Sequence, residues 1–271
     1  MEFIEIAGAF FYFILGTIIG SFLNVVLLRY DMEKSILGRS MCLSCGRELR
    51  WFELIPVLSF IFQLGRCRNC RNKLLWQYPL IEFFTGLIFL GVFLKFSNLF
   101  LVSMPQFTVM SVYSMAIFSI LIVIFVYDIK HKIIPDDLVY TFATLSLASI
   151  FFDSSTFQIF MPTLLPFLAG PIFFLFFFFI WFFSRGKWMG LGDGKLALGI
   201  GWFLGPYAGA TAIILSFWLG ALVSIALMTI PLLNLRRKKL TMKSEISFGP
   251  FLIIGILLVF FFNINILNFI L

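Results

Sequence analysis

Residues 164–183 read LLPFLAGPIFFLFFFFIWFF, a run with no charged side chain and with phenylalanine at 167, 173, 174, 176 to 179, 182 and 183. No water-facing surface tolerates such a stretch, and a helix needs about 20 mostly apolar residues to cross a bilayer. The composition agrees. Of 271 residues, 61% are hydrophobic and only 12% charged, 39 are phenylalanine, and the mean hydropathy is +1.06. Soluble domains are roughly 45–50% apolar and about 25% charged. The net charge of +7 does not point to nucleic acid. The basic residues cluster in loops between apolar spans, where they orient a chain in the bilayer.

Working outward from that run, apolar spans are expected at 3–28, 78–96, 108–127, 138–152, 160–183, 196–233 and 249–271. The first begins Met1-Glu2, lacks a basic n-region and a small-residue cleavage site, and reads as a retained helix. Nine of the twenty Lys and Arg residues lie between Arg29 and Lys73. Others sit at Lys130, Lys132, Arg185, Lys187, Lys195, Arg236 to Lys239 and Lys243, and only Lys95 falls near the opposite side. The positive-inside rule makes these basic loops cytoplasmic. Parity then requires 196–233 to cross twice, or to dip in and return, with Gly199, Gly201, Gly205, Pro206 and Gly209 as turn points. The expected fold is an all-α polytopic membrane protein. It has about eight transmembrane helices, or six plus a re-entrant segment, both termini outside, and a small cytoplasmic zinc-binding loop domain. The divisions are a first transmembrane helix at 1–28, the loop at 29–77 and a transmembrane domain at 78–271.

The loop holds all four cysteines, as Cys42-x-x-Cys45 and Cys67-x-x-Cys70. Two such pairs about twenty residues apart offer the four thiolates of a tetrahedral Zn²⁺ site. A cytosolic loop disfavours the alternative of disulfides. Four cysteines leave no coordination position for water, so the metal is expected to be structural, one per chain, stapling a loop too small to hold its own core.

Two carboxylates stand out. Asp128 ends the apolar run Ile117 to Tyr127, and Asp193 sits in Gly190-Leu191-Gly192-Asp193-Gly194-Lys195. A carboxylate at membrane depth is costly and marks a functional site or a paired charge. Two that share a site cannot both ionise readily, and one then holds a proton while the other serves as base. The other reading pairs Asp128 with Lys130 or Lys132, and Asp193 with Lys195, as interfacial salt bridges. His131, the single histidine, reads as interfacial. Glu82 either pairs with Arg71 or Lys73 or belongs to a binding site.

Taken in order, these features resemble the type IV prepilin peptidases, membrane GxGD aspartic proteases that also N-methylate their product. The residues are Gly20-Ser-Phe-Leu-Asn24-Val-Val26 with Arg29; the two CxxC pairs with Ile55-Pro56-Val57-Leu58-Ser59 between them and Gly65-Arg66-Cys67-Arg68 at the second; Tyr78-Pro-Leu-Ile-Glu82; Asp128 with Ile134-Pro135-Asp136; Gly190-Leu-Gly192-Asp193-Gly-Lys195; and Phe248-Gly249-Pro250-Phe251. The chain departs from the family pattern at Ser247, where proline is usual, and at Leu54, which replaces an amide; neither departure is expected to touch the aspartates.

The resemblance implies that Asp128 and Asp193 are the catalytic aspartates, with Gly190, Gly192 and Lys195 in a supporting active-site loop, and that 78–271 is the protease domain. It implies that 29–77 supports methyl transfer from S-adenosylmethionine. A sulfonium cofactor needs a carboxylate or aromatic partner, and Glu53 and Glu82, with Trp51 and Trp76, are the candidates. Prepilins or pseudopilins of type IV pili or type II secretion would be the substrates. The setting would be the bacterial cytoplasmic (inner) membrane, with the site at its cytoplasmic face. A non-proteolytic transporter or assembly factor with a structural zinc loop, and a related protease acting on unrelated signal sequences, are the alternatives.

Overall fold

The computed structural model describes residues 2–31, 38, 40–42, 44–153, 158–229 and 247–266. Lys34, Arg39, Arg236 to Lys239 and Lys243 lie outside the described residues, as do the ends of two expected spans at 230–233 and 267–271. The chain is mostly helical and divides into two compact units, Met1–Val123 and Ile124–Leu271.

In the first unit, α1 (Glu2–Asp31) packs on α3 (Gln77–Val102). They run antiparallel: Gly8 meets Phe93, Gly16 meets Gly86, Gly20 meets Glu82, and the Asn24 amide donates to the Tyr78 carbonyl. Gly16 and Gly20 are four apart and so share a face. A Cβ at Gly16 would lie 2.7 Å from Gly86 Cα, and one at Gly20 2.8 Å from Glu82 Cα. Small residues let backbones approach closely where no water drives the helices together. The loop between these helices carries a 3₁₀ turn at Trp51–Leu54 and the short helix α2 (Leu58–Phe62). Helix α4 (Met104–His131) passes from the first unit into the second.

The second unit adds α5 (Asp136–Ser149), a two-residue ribbon β1 (Phe152–Asp153) with β2 (Gln158–Ile159), α6 (Leu164–Ser184), α7 (Leu191–Thr229) and α8 (Gly249–Phe262). Helix α7 is central and packs against α5, α6 and α8. It is not straight. Gly205 has φ 78° and ψ −177°, a conformation outside the helical region, and Pro206 follows without an N–H to donate. Gly194 and Phe217 both pack on Phe177. In one straight helix they would stand about 35 Å apart at 1.5 Å per residue. The two arms, 191–204 and 206–229, therefore fold back on each other. The expected reversal within 196–233 is present, and its turn is Gly205-Pro206.

Among the described residues, five helices are long and apolar enough to cross a membrane when the two arms of α7 are taken together: 5–30 of α1, then α3, α4, α6 and 191–226 of α7. The expected spans at 138–152 and 249–271 appear as α5 and α8, each 14 residues. That is about 21 Å of helix, short of the roughly 30 Å hydrocarbon core. Pro135 sets the start of α5, and the β-ribbon takes over just past its end. This ribbon departs from an all-α reading.

Candidate active site and cysteine cluster

Asp128 lies in the last turn of α4, and Asp193 in the first turn of α7. Both are buried and within electrostatic reach of each other. Asp128 accepts hydrogen bonds from the Ser247 hydroxyl and the Gly249 N–H. A Cβ on Gly249 would collide with Asp128 Oδ2, so glycine is required where α8 begins beside this carboxylate. Around Asp193, the glycines have different tasks. A Cβ on Gly192 would lie 3.0 Å from the Ile134 Cβ, whereas one on Gly190 would stop 3.7 Å from Asp193 Oδ2. Gly192 thus lets the Ile134-Pro135 segment lie against the start of α7.

Lys195 does not take Asp193 as its partner. Its Nζ reaches Asp136 Oδ1 at 2.7 Å and sits over the Tyr140 ring. This bridge ties the start of α5 to the start of α7. His131 stacks on Tyr127, with ring centroids 4.5 Å apart. Ser247 and Gly249 are contacts of Asp128 that no local pattern reveals. The expectation that the departure at Ser247 lies away from the aspartates is corrected here, because docking of the segment before α8 brings its hydroxyl onto Asp128.

In the first unit the four cysteine sulfurs lie within 4.8 Å of one another and could hold a metal ion. All four are free thiols, and Cys42 Sγ stands 3.9 Å from Cys70 Sγ. A tetrahedral site with Zn–S bonds of about 2.3 Å needs sulfurs about 3.8 Å apart. The two pairs are built alike. Cys42 N–H donates to the Arg47 carbonyl and Gly46 N–H to the Cys42 carbonyl; Cys67 N–H donates to the Asn72 carbonyl and Arg71 N–H to the Cys67 carbonyl. Each turn closes with a left-handed residue, Gly46 (φ 69°) and Arg71 (φ 55°). The Arg47 N–H and the Asn69 amide lower the Cys45 thiol to about 6. The Cys70 and Asn69 N–H groups lower Cys67 as well. Cys70 goes up to about 11: the Asn72 N–H favours its thiolate, but desolvation and the neighbouring sulfurs outweigh that. Such N–H···S bonds suit a cluster that holds its charge against a cation.

The two loop carboxylates differ. Glu53 is bound by Arg47 at 2.5 and 2.7 Å and by the Arg50 N–H at 2.9 Å. Glu82 accepts from the Val57 N–H at 2.6 Å and from Ser21. Arg71 and Lys73, the expected alternatives, are not its partners. Trp51 and Trp76 are exposed.

Two family models match the chain. One, described as the bacterial peptidase A24 N-terminal domain, covers residues 14–96, and the type IV leader peptidase family covers 115–225. A prepilin leader peptidase/N-methyltransferase of Bacillus subtilis strain 168 is 31% identical over 258 residues, 95% of either chain. The protein of the same name from Vibrio cholerae is 28% identical over 92% of this chain and 94% of its own. One from Myxococcus xanthus is 38% identical over 128 residues, which is 47% of this chain and 36% of that protein. No solved structure matches. The buried pair of aspartates, the four-cysteine cluster and the two likenesses that span over nine-tenths of each chain agree, and the chain belongs to the type IV leader peptidase family.

Proposed function

We propose that this protein is a membrane aspartic endopeptidase that removes the leader of type IV prepilins or pseudopilins at the cytoplasmic face of the inner membrane. It then N-methylates the new terminal residue. Asp128 and Asp193 are its catalytic pair. The observation that carries this reading is their placement: two buried carboxylates within electrostatic reach, with the nearby lysine, Lys195, turned to Asp136 instead.

The chemistry needs one carboxylate ionised and the other protonated. The ionised one takes a proton from water as the water oxygen bonds to the scissile carbonyl carbon. The other gives its proton to the carbonyl oxygen. Collapse of the tetrahedral adduct breaks the C–N bond, and the amine leaves with a proton from the pair. Helices α5, α7 and α8 start at Asp136, Leu191 and Gly249, close in sequence or contact to the aspartates. The shortness of α5 and α8, 14 residues each, suits carboxylates set slightly below the bilayer surface, where water and an extended substrate can both arrive. Counting both arms of α7, together with α5 and α8, gives eight crossings.

Zn²⁺ at Cys42, Cys45, Cys67 and Cys70 would be structural, because four thiolates leave no open position. S-adenosylmethionine would supply the methyl group, which the new amine takes as it gives up a proton. The direct test is leader cleavage by purified Asp128→Asn and Asp193→Asn. Each should lose cleavage while remaining in the membrane, since an amide can neither accept nor hold the shared proton. Wild-type rates in either variant would rule out the pair.

A further inference from the structure

Ser59 and Gln63, the polar residues of α2 and its C-terminal cap, face inward. With Phe60 they line the interior of the first unit between the ends of α1 and α3, and the ring centroids of Phe60 and Trp76 are 5.0 Å apart. Leu58, Ile61 and Phe62, spaced three and four apart, share the opposite face, and all three are exposed. The helix ends with the Leu64 N–H on the Ile61 carbonyl and the Gly65 N–H on the Phe60 carbonyl. Glycine ordinarily takes the left-handed position of such an end. Here Leu64 takes it, at φ 50°, with its side chain 86% exposed, and Phe62 is 80% exposed. A water-facing surface has no use for that arrangement, since leucine bears a backbone cost there and gains no burial.

What covers that face follows from where it lies. The Val57 N–H donates to Glu82 Oε2 at 2.6 Å, and Glu82 is five residues into α3 from Gln77. The start of α2 is thereby held level with the first turns of α3. At 26 residues, α3 is about 39 Å long, longer than the roughly 30 Å hydrocarbon core. Its first turns therefore lie in the headgroup layer and just beneath it. Leu80, at the same level, is exposed too. Trp51 in the adjoining 3₁₀ turn and Trp76 ahead of α3 are exposed, and tryptophan is favoured at that depth. Just past Leu64, Arg66 pairs with Lys73 in an antiparallel bridge, and both are exposed. Cations at the rim of an apolar face match anionic headgroups. Both ends of the loop are tied to membrane-spanning helices, α1 ending at Asp31 and α3 beginning at Gln77, so lipid is always within reach.

We propose that the outer face of α2, with Leu64, is a membrane anchor. It lies in the surface of the same bilayer that α1 and α3 cross, with Arg66 and Lys73 on anionic headgroups. An apolar face so placed enters about 5–10 Å into the boundary between headgroups and acyl chains. The bilayer thus holds the loop against the ends of α1 and α3, while the turn at Cys67 to Cys70, beyond the Arg66–Lys73 bridge, stays on the water side. The proposal needs only that α1 and α3 span the membrane. It is independent of the chemistry at the aspartates and of methyl transfer.

The experiment is photo-crosslinking of the full chain reconstituted into vesicles of phosphatidylcholine and phosphatidylglycerol, with adducts read by mass spectrometry. p-Benzoylphenylalanine replaces Phe62 in one variant and Leu64 in another. Phe84, exposed on α3, is the lipid-facing reference site, and Arg71, in the second cysteine turn, is the water-side one. Melting temperature checks folding; if the Phe62 variant melts early, the Leu64 variant decides. The Phe62 and Leu64 sites should give lipid adducts at about half the Phe84 yield or more, and the Arg71 site at less than about a tenth. Among adducts at the first two sites, phosphatidylglycerol should be enriched about threefold or more over its share of the vesicle. Arg66→Gln with Lys73→Gln should remove that enrichment and leave the lipid adducts in place. Lipid yields at Phe62 and Leu64 as low as at Arg71 overturn the anchor. Adducts to a second copy of the chain, or to the apolar helix of an added prepilin, in place of lipid overturn it too, and make the face a dimer interface or a substrate groove. Phosphatidylglycerol at its bulk share overturns the role given to Arg66 and Lys73.

Discussion

The Ser247 hydroxyl donates a hydrogen bond to Asp128 Oδ2 across 119 positions of sequence. Two residues further on, the Gly249 N–H reaches the same carboxylate. The segment leading into α8 thus fixes the carboxylate that α4 presents. A carboxyl group with two donors has one preferred rotation, and orientation to within a fraction of an ångström governs reactions of this kind.

Ser247→Ala should therefore slow leader cleavage without abolishing it. A hydrogen bond to a charged group contributes about 1.5–3 kcal/mol, and part of that is recovered by water at this partly buried position. Cleavage efficiency, kcat/KM, is expected to fall about three- to thirtyfold, far less than in Asp128→Asn. Ser247→Pro, the residue usual in the family, should keep more activity than alanine if the backbone there already holds Gly249 in place. An alanine variant as fast as wild type would show that the hydroxyl has no positioning role.

The glycines around the aspartates should rank by what a methyl group would meet. Gly249→Ala would drive a Cβ into Asp128 Oδ2, and Gly192→Ala would press on the Ile134 Cβ at 3.0 Å. At Gly190 the added carbon would find ordinary contact at 3.7 Å. Cleavage should drop about a hundredfold or more in Gly249→Ala, at least tenfold in Gly192→Ala, and within about threefold in Gly190→Ala. Measuring all three in parallel checks the order. A Gly190 variant worse than Gly192 would mean that Gly190 serves substrate or backbone flexibility instead.

Much of this architecture is readable from local pattern. Apolar length gives the spans, charge asymmetry demands the reversal in α7, and Gly205-Pro206 was among the few places for it. The paired CxxC spacing marks the cluster, since four soft ligands at that interval have few other uses. What escapes is tertiary. Lys195 adjoins Asp193 but spans to Asp136, because helical geometry sends residues two apart to different faces. Ser247 reaches Asp128 only once α8 has docked. Helix length also escaped, since hydropathy continues past Phe262 while the helix ends at Asn263 in the left-handed region.

Elemental analysis should find about one zinc per chain. Cys→Ser at Cys42, Cys45, Cys67 or Cys70 should lose the metal and loosen the loop, while leader cleavage falls less than in the aspartate variants. The cluster belongs to the first unit and the aspartates to the second. A four-cysteine variant that kept its zinc would place the metal elsewhere. Cleavage lost as completely as in Asp193→Asn would make the loop part of the peptidase itself.

The reversal at Gly205 makes a prediction whose sign, not only its size, is informative. In the interior of a continuous helix, glycine is about 1 kcal/mol worse than alanine, so Gly→Ala would stabilise. Gly205 instead has φ 78° and ψ −177°, and a Cβ built there meets nothing within 4 Å. Space is no obstacle; the backbone conformation is, because only glycine occupies that region at low cost, and a side chain there costs about 1–3 kcal/mol. Gly205→Ala should lower the melting temperature of the detergent-solubilised protein. Gly199→Ala offers a contrast: it lies inside the first arm, and its Cβ would strike the Phe142 ring, so it should destabilise through packing. Gly199→Ala combined with Phe142→Leu should recover stability, whereas no neighbouring change should rescue Gly205→Ala. A Gly205→Ala protein more stable than wild type would mean that α7 runs straight.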